Sequence, residues 1–513
     1  MKTLCDYPSL KSLVLLCAAL MTDHAGAAEA VNSALWGADG AAWTPESRLP
    51  DFSHAGYRRG ERPLPNPERT HNVRDFGATG DGETDDSDAF LKALAEMPAG
   101  VLWVPEGRYR ITRPLRVEKS NIVIRGAGPE KTILYCPVPL NVIEPNDGAT
   151  TGGRPTSNYS WSGGFVTIQG RAGGDALTSV AQPAARGSHT VEVTDSSRLR
   201  VGQEVALRLT DDEKDSLAQH LYDNDPRTSI ENLNSRTSAT LIARIVAVTG
   251  NTVTIDRPLR FDIRPEWKPT LYPFAPEVVE SGLENVGFEF PNTPYEGHFT
   301  ELGFNAFALS GVAHCWVRNI RVHNSDSGGF VSGNFNTVDG IVLTSVRSRD
   351  KNRNSTGHHG VSLGGDDNLC TNFDFQTMFV HDLTTSHSAG NVYSNGKGED
   401  LSFDHHCRAP YENLFSNIDV GKATRVWSSG GGKGLGAHCG ARGTFWNIHG
   451  AQTIAVPEKN FGPWSLNLIG VQIDGAEQLD PSQRWYEHPE KSVMPRDLHE
   501  AQRARRVHTP DTP

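Results

Sequence analysis

The segments DFGATGDGETDDSDAF, Asp75–Phe90, and VLWVPEGRYRI, Val101–Ile111, decide the expected fold. The first segment opens an amphipathic helix, because apolar residues recur there at helical spacing: Phe90, Leu94 and Met97. The second segment contains two short apolar strands separated by a Pro-Glu-Gly turn. One helix followed by short strands is typical of a β-solenoid whose open apolar end is covered by the helix.

Together these segments resemble the opening of the pectate-lyase-like superfamily of right-handed parallel β-helices. The resemblance implies an all-β fold, a right-handed parallel β-helix with an N-terminal capping helix. The superfamily includes polysaccharide lyases, rhamnogalacturonase-type hydrolases, epimerases and phage tailspikes. The resemblance therefore implies the fold much more strongly than it implies one reaction.

The composition indicates a folded, turn-rich protein without basic character. Of the 513 residues, 37% are hydrophobic, 21% are charged and 51 are Gly, which favours β structure with many turns. The formal net charge is −12 at pH 7. Nucleic-acid binding requires a basic face, so we expect no nucleic-acid partner. No pattern in the sequence sets an oligomeric state.

Residues 1–27 have the layout of a secretory signal peptide. Lys2 and Lys11 precede an apolar run from Leu13 to Met21, and small residues follow at Ala25–Ala27. The run is too short to span a bilayer. We therefore expect a secreted or periplasmic protein without membrane insertion.

The remaining chain divides into five parts. These are an extended arm (28–70), the first coils with the capping helix (71–159), a small β-rich insertion (160–275), the main β-helix (276–475) and a tail (476–513). In the main part Asn395, Asn417 and Asn447 follow one another at separations of 22 and 30 residues, which is typical of a solenoid repeat. These Asn residues predict either stacked side-chain ladders or turn positions.

The stretch FDHHCRAPYENLF, Phe403–Phe415, concentrates ionisable groups. Alternate residues of a strand face opposite sides, so His405 is predicted to face inward with Phe403. The outward row of catalytic candidates would be Asp404, His406 and Arg408. Pro410 ends the strand and places Tyr411 on the following turn. His405 is a further catalytic candidate, although its parity favours a packed position.

The next coil is predicted to bring Arg425 and Trp427 beside His406. A Trp ring near charged donors suits a sugar, whose apolar face stacks on the ring while its polar groups accept hydrogen bonds. Arg425 is therefore a catalytic candidate and Trp427 a substrate-binding candidate. The other substrate-binding candidates, mostly His residues spaced by about one coil, are His358, His359, His387, His438 and Lys433.

These groups suit β-elimination on a uronic-acid-containing polysaccharide, the reaction of a polysaccharide lyase. Arg408 or Arg425 would neutralise the C6 carboxylate. His406 would take the C5 proton and Tyr411 would protonate the leaving oxygen. Asp404 would orient or tune the His406 imidazole. The expected partner is an acidic polysaccharide.

Two alternatives stay open. A polygalacturonase-like glycoside hydrolase would need two carboxylates flanking the bond, and Asp339, Asp366 and Asp367 lie in segments that faintly resemble that family. A non-catalytic glycan-binding β-helix would need none of the ionisable row to react.

No cofactor is expected from the motifs. There is no nucleotide-binding pattern in its proper context, and no HxH or HExxH spacing predicts a metal site. A calcium-assisted lyase would instead recruit Asp366, Asp367 or Asp404. The five Cys beyond the signal are odd in number and contain no CxxC, which indicates neither a disulfide framework nor structural zinc.

Overall fold

The structure is a computed structural model that describes residues 30–151, 153–475 and 484–508. The predicted signal peptide, residues 1–27, lies outside the described residues. The helices are α1 (Ser87–Glu96), α2 (Leu140–Ile143), α3 (Ser216–Leu221) and α4 (Leu498–His508), with 3₁₀ turns at Ala38–Gly40, Tyr57–Gly60, Val73–Phe76, Asn158–Ser160 and Pro265–Trp267.

Strands make up most of the regular structure. In chain order they are β1 (Val31–Asn32), β2 (Arg69–Asn72), β3 (Asp81–Asp85), β4 (Gly100–Val104), β5 (Gly107–Arg110), β6 (Leu115–Val117), β7 (Ile122–Gly126), β8 (Thr132–Tyr135), β9 (Asp147–Thr151), β10 (Arg154–Ser157), β11 (Val166–Gln169), β12 (Thr178–Ser179), β13 (Thr190–Glu192), β14 (Glu204–Thr210), β15 (Ser238–Thr249), β16 (Thr252–Ile255), β17 (Thr270–Pro273), β18 (Gly282–Glu284), β19 (Gly287–Glu289), β20 (Asn305–Ala313), β21 (Trp316–His323), β22 (Ser327–Asn334), β23 (Thr337–Thr344), β24 (Gly357–Leu363), β25 (Leu369–Thr371), β26 (Asp374–Phe375), β27 (Phe379–Thr385), β28 (Val392–Gly398), β29 (Phe403–His405), β30 (Leu414–Asp419), β31 (Thr444–His449), β32 (Asn467–Ile469), β33 (Trp485–Glu487) and β34 (Val493–Met494).

The strands stack as coils of a right-handed parallel β-helix, which confirms the predicted fold class. One long parallel ladder runs from β4 through β7, β18, β21, β23, β25, β28, β30, β31 and β32 to β33. A second face is the seven-stranded parallel ladder β6-β11-β20-β22-β24-β27-β29. In that ladder His359 pairs with His381, and Thr384 pairs with Asp404.

The predicted capping helix is α1. Its apolar side, including Phe90 and Leu94, is buried in the same core as the first coils. The Phe90 ring meets the Tyr109 ring edge-on, with centroids 5.6 Å apart. The helix therefore keeps water from the apolar end of the coil, where an unpaired strand edge would otherwise be exposed.

Aromatic stacks fill the interior of the later coils. The ring centroids of Phe403 and Phe415 lie 4.4 Å apart, and those of Phe415 and Phe445 lie 5.5 Å apart. Each large side chain in such a stack contributes about 1.5–3 kcal/mol by leaving water. The stack fixes the height of each coil, and therefore the height of the polar groups outside it.

Asn side chains form ladders between coils, which is one of the two predicted roles. A buried ladder joins successive coils, because Asn336 donates to Asn368 at 3.1 Å and Asn368 donates to Asn391 at 3.2 Å. Asn395 and Asn417 lie within β28 and β30 at positions of positive φ, where Asn is tolerated, and they also share a hydrogen bond of 2.6 Å.

The insertion forms a six-stranded antiparallel sheet in the order β12-β17-β14-β15-β16-β13, with its own apolar core. It is attached to the coil by a buried ion pair, in which Asp367 accepts hydrogen bonds from Arg257 at 2.8 and 3.1 Å and from Arg260. Removing one partner of such a pair leaves an uncompensated buried charge, which costs about 3–5 kcal/mol.

The arm and the tail pack on the outside of the coils. Trp36 and Phe52 of the arm share a buried apolar cluster with Leu414 and Trp446. Gln502 of α4 accepts from the Phe52 N–H at 2.8 Å and so links the two segments. Within the described residues every helix is too short or too polar to cross a bilayer, and the five Cys are buried free thiols.

Candidate active site

A long cleft lies along the face built by the ladder from β11 to β29. Its volume is about 1340 Å³, and its walls come from β20, β22, β24 and β27, from the loop before β20, and from the Gly-rich segment Ser428–Gly432. Sites of this size bind extended ligands or several sugar units. The cleft therefore defines where the predicted site residues must lie if they react with a polymer.

Asp404 and His406 form a hydrogen-bonded pair in the floor of this cleft. Asp404 Oδ2 lies 3.0 Å from His406 Nδ1, and the carboxylate also accepts from Gly430 N–H at 2.6 Å and Thr384 Oγ1 at 3.1 Å. Asp404 is fully buried, whereas the His406 side chain is 37% exposed. Because the bond occupies Nδ1, the other ring nitrogen of His406, Nε2, is available for chemistry.

The arrangement differs from the predicted exposed row because β29 ends at His405. Cys407, Arg408 and Ala409 all have positive φ, so alternation stops after His405. Asp404 is a buried support and not an exposed group, which corrects the sequence interpretation. Gly430 is required beside the pair, since a Cβ there would lie 2.3 Å from His406 Cε1.

The local electrostatics separate His406 from the other histidines of the site. Burial alone would lower the pKa of His406, but the hydrogen bond and the charge of Asp404 outweigh it and raise that pKa above its ordinary value. Burial alone would raise the pKa of Asp404, but His381 and His406 hold it well below its usual range. His406 is therefore the basic imidazole, and Asp404 is its permanent counter-charge.

Four further imidazoles, which we call the histidine cluster, surround this pair: His298, His358, His359 and His381. The rings of His358 and His359 have centroids 4.1 Å apart, and those of His381 and His406 have centroids 5.3 Å apart. Burial lowers the pKa of His298 to about 3 and that of His381 to about 4, and it holds the pKa values of His358 and His359 well below 6.5. The cluster is therefore neutral at pH 7.

Two members of the cluster, His298 and His381, were not among the sequence candidates. His381 follows two apolar residues in β27, and only the register opposite His359 brings it to the cleft. His298 lies in the loop between β19 and β20, next to Phe299, whose φ of 70° is an uncommon backbone conformation for a bulky residue. No spacing rule within one strand could have related the two positions.

Two exposed arginines line the cleft. Arg408 follows the Asp404–His406 pair, and Arg353 comes from the loop before β24. Within the described part of the chain, neither guanidinium has a hydrogen bond or ion pair to a protein acceptor. Both groups are therefore free to form bidentate contacts with carboxylates of a ligand.

Trp161 is an exposed aromatic residue among those described in the lining of the cleft. It is 38% exposed, and its ring meets Phe299 edge-on with centroids 6.3 Å apart. Trp427, the predicted platform, instead packs edge-on against Phe445 at 4.9 Å and donates to the Ala455 carbonyl at 2.6 Å. Trp427 closes the apolar interior, so the structure corrects the prediction that it faces a sugar.

Three predicted catalytic residues, His405, Tyr411 and Arg425, are not among the described residues that line the cleft. His405 packs among Phe415, Phe445 and Phe461, and its Nδ1 lies 3.0 Å from the Phe403 carbonyl. Tyr411 is 3% exposed within the core that the insertion shares with the coil.

Arg425 is the third. Its guanidinium donates to the carbonyls of Phe379, Val380 and Asp400 and pairs with Asp382. These hydrogen bonds join neighbouring coils. Arg425 is not among the described residues that line the cleft. The sequence could not reveal this, because all its acceptors belong to other coils.

Of the remaining substrate-binding candidates, some line the cleft and others lie outside it. His358 and His359 line the cleft, whereas His387, His438 and Lys433 are not among the described residues that line it. His387 is exposed beside the Arg408 carbonyl, and His438 Nδ1 lies 2.9 Å from the Gly430 carbonyl. Lys433 is exposed in the loop after Gly432.

Of Asp366 and Asp367, the candidates for hydrolysis or calcium binding, Asp367 is buried against two arginines of the insertion and Asp366 is half-buried beside it. Burial raises the pKa of Asp366 to about 7. Burial alone would also raise the pKa of Asp367, but Arg257 and Arg260 lower it to about 2. Neither carboxylate is among the described residues lining the cleft.

Comparison with known proteins agrees with this fold. Residues 70–158 match the family model described as rhamnogalacturonase A/epimerase, pectate lyase-like, which confirms the resemblance seen in the sequence. Among curated proteins, the chain is similar to alginate lyase 7 of Azotobacter vinelandii, with 38% identity over 73 residues, 12% of this chain and 8% of that protein.

Phage proteins are similar as well. The pre-neck appendage protein of Bacillus phage B103 is 37% identical over 84 residues, 16% of this chain and 9% of that protein. The solved tailspike protein gp49 from Pseudomonas phage LKA1 has a TM-score of 0.46 and 14% identity, covering 78% of this chain and 67% of that one. The chain thus spans under a tenth of the length of the two curated relatives.

Proposed function

We propose that the protein is a polysaccharide lyase that cleaves a uronic-acid-containing polysaccharide by β-elimination. The observation that carries the proposal is the 3.0 Å hydrogen bond between buried Asp404 and His406, which lines the cleft together with two arginines whose guanidinium groups have no partner among the described residues. A base with a supporting carboxylate beside free cationic groups is the combination that removal of a proton next to a carboxylate requires.

The step uses residues of this chain in distinct roles. Arg353 or Arg408 binds the C6 carboxylate of the sugar and offsets its charge, which makes the C5 proton more acidic. His406 Nε2 takes that proton. The electron pair of the broken C5–H bond forms a C4–C5 double bond, and the C4–O bond to the leaving sugar breaks.

The leaving oxygen needs a proton, and Tyr411 is too deeply buried to supply it. His406 becomes protonated in the first half of the step and can return its proton to this oxygen. One residue then serves as base and acid, which requires the C5 proton and the C4 oxygen to leave from the same face of the ring. Asp404 stabilises the imidazolium between the two transfers.

The cleft offers less to a hydrolase. Glycoside hydrolysis requires two carboxylates flanking the bond. No Asp or Glu is found among the described residues that line the cleft, and Asp404 is buried behind His406. The name of one relative, alginate lyase 7, is compatible with a uronic acid polymer as the substrate. A polymer substrate also supports the proposed secreted or periplasmic location.

The test is a screen of pectate, alginate, glucuronans and glycosaminoglycans with the purified chain. A lyase creates an unsaturated uronide that absorbs in the near ultraviolet, and a hydrolase releases reducing ends without this absorbance. We expect the absorbance with one class of polymer. Reducing ends without absorbance, or binding without any product, would overturn the proposal in favour of a hydrolase or a glycan-binding protein.

A further inference from the structure

The histidine cluster contains more buried, unpartnered polar atoms than a packed core tolerates. Within the described residues, His381 Nδ1, His381 Nε2, His358 Nδ1 and Glu301 Oε2 all lack a hydrogen-bond partner. His381 is 4% exposed, His358 is 2% exposed, and both line the cleft. Each unsatisfied buried group costs about 1–3 kcal/mol. The two Nδ1 atoms lie 3.4–3.5 Å from carboxylate oxygens, so His381 Nε2 is the atom of this group that indicates a bound ligand.

We propose that His298, His358 and His381 form a binding site for a divalent transition metal ion of the zinc class. One ring nitrogen from each residue lies within 4.8 Å of the corresponding nitrogens of the other two. Zinc–nitrogen bonds of about 2.0–2.1 Å place tetrahedral ligands roughly 3.4 Å apart, a contraction that small ring rotations supply.

The carboxylates behind the rings strengthen this assignment. Glu301 Oε2 lies 3.5 Å from His358 Nδ1, and Asp404 Oδ2 lies 3.4 Å from His381 Nδ1. Metal-binding imidazoles commonly direct one ring nitrogen to a carboxylate and the other to the metal. Both histidines would therefore present Nε2 to the ion. Glu301 is itself held in place by the Tyr295 hydroxyl at 2.5 Å.

The chemistry of the ligands selects the ion. Imidazole ligands suit zinc, copper, nickel or iron, whereas calcium and magnesium prefer oxygen ligands. Three protein ligands leave a coordination position open toward the cleft, which is the pattern of catalytic and not of structural zinc sites. That position can accept an anionic oxygen from a molecule bound in the cleft.

A second grouping, His381 with Asp404 and His406, satisfies the same distance criterion. We assign the ion to the first set because Asp404 and His406 already bond to each other, and Asp404 also accepts from Gly430 and Thr384. His298, in contrast, is a half-buried loop residue whose ring centroid lies 4.5 Å from that of His358 and 5.6 Å from that of His381.

The experiment is metal binding by the full chain in the absence of any polysaccharide. After treatment with a chelator, the protein is titrated with Zn²⁺ by calorimetry, and Co²⁺ is added in a parallel sample to record visible absorption. We expect one equivalent of Zn²⁺ and the Co²⁺ bands of a nitrogen-rich site. His298→Ala should abolish both signals, and Glu301→Gln should weaken Zn²⁺ binding about 10–100-fold.

His449→Ala is the matched control, because His449 is exposed at the end of β31 and should leave binding unchanged. Circular dichroism and the melting temperature verify that each variant is folded. No stoichiometric binding to the native chain, or full binding by folded His298→Ala, would overturn the proposal. Since the assay contains no substrate, its result is independent of whether the protein is a lyase.

Discussion

Asp404 Oδ2 lies 3.0 Å from His406 Nδ1, although the two residues are only two positions apart and their exposure is opposite. The strand ends between them, so the carboxylate stays under the cleft floor while the imidazole enters the cleft. A fully buried carboxylate holds its imidazole with a charge-assisted hydrogen bond that water does not compete for. This relationship gives the site its strongest base.

The first prediction concerns this pair. His406→Ala and Asp404→Asn should each lower kcat by about 10²–10⁴-fold, because one removes the proton acceptor and the other its counter-charge. The measurement is near-ultraviolet absorbance on the polymer found in the screen. His449→Ala should retain wild-type kcat, and folded His406→Ala with near-wild-type turnover would remove His406 from the mechanism.

The second prediction concerns the free arginines. Arg353→Ala and Arg408→Ala should each lower kcat/KM about 10–100-fold, since a hydrogen bond to a charged group contributes about 1.5–3 kcal/mol. The measurement is the initial rate as a function of polymer concentration. Arg62→Ala, an exposed arginine that is not among the residues lining the cleft, should leave kcat/KM unchanged. Equal losses in all three variants would argue for a non-specific effect of charge.

The third prediction compares two tryptophans. Trp161→Ala should raise KM about five- to tenfold and leave the melting temperature unchanged, because an exposed ring offers stacking worth about 1 kcal/mol. Trp427→Ala should instead reduce the free energy of unfolding by about 2–4 kcal/mol, because its ring packs on Phe445 and Phe461. Kinetics and urea unfolding on both variants make the comparison. A reversed pattern would restore Trp427 as the sugar platform.

The fourth prediction concerns the half-buried carboxyl of Asp366. Burial raises its pKa in the folded protein to about 7, compared with about 3.9 in the unfolded chain. Between these values the folded state retains a proton that the unfolded state has lost, so the free energy of unfolding decreases as pH rises from about 4 to about 7. Above that range the loss is complete.

Asp366→Asn removes this titration and keeps an oxygen for the Ala389 N–H, which Asp366 accepts at 2.8 Å. Relative to the wild type, the variant should gain up to about 1.4 kcal/mol of stability per pH unit through the same interval. Urea unfolding at several pH values between about 4 and about 8 measures the difference. A difference that does not change with pH would contradict the raised pKa.

Several features followed from local sequence patterns. Helix α1 was predictable from the spacing of Phe90, Leu94 and Met97, and it covers the first coil as expected. The inward position of Phe403 and His405 was also predictable, because parity holds for as long as a strand continues. The interpretation of His406 and Arg408 depended on continuing that parity past His405, where the backbone turns into the left-handed region.

Other features had no local signal. Arg425 is a residue type that is common in polysaccharide-binding clefts. Only its hydrogen-bond acceptors on neighbouring coils reveal that it is structural. Trp161 and His298 lie in loops that precede β11 and β20, far in sequence from His406. They share the cleft with His406 because parallel coils stack side by side, which brings residues from separate turns to one face.

By itself, the sequence determined that the chain forms a capped β-helix and that ionisable side chains are concentrated around His406. The periodicity of apolar residues is a local property, and the burial of those residues follows from it directly. Which imidazoles, arginines and aromatic rings share the cleft was decided only by tertiary structure. Strand ends, coil register and a docked insertion set those distances, and each depends on contacts between residues that are remote in the chain.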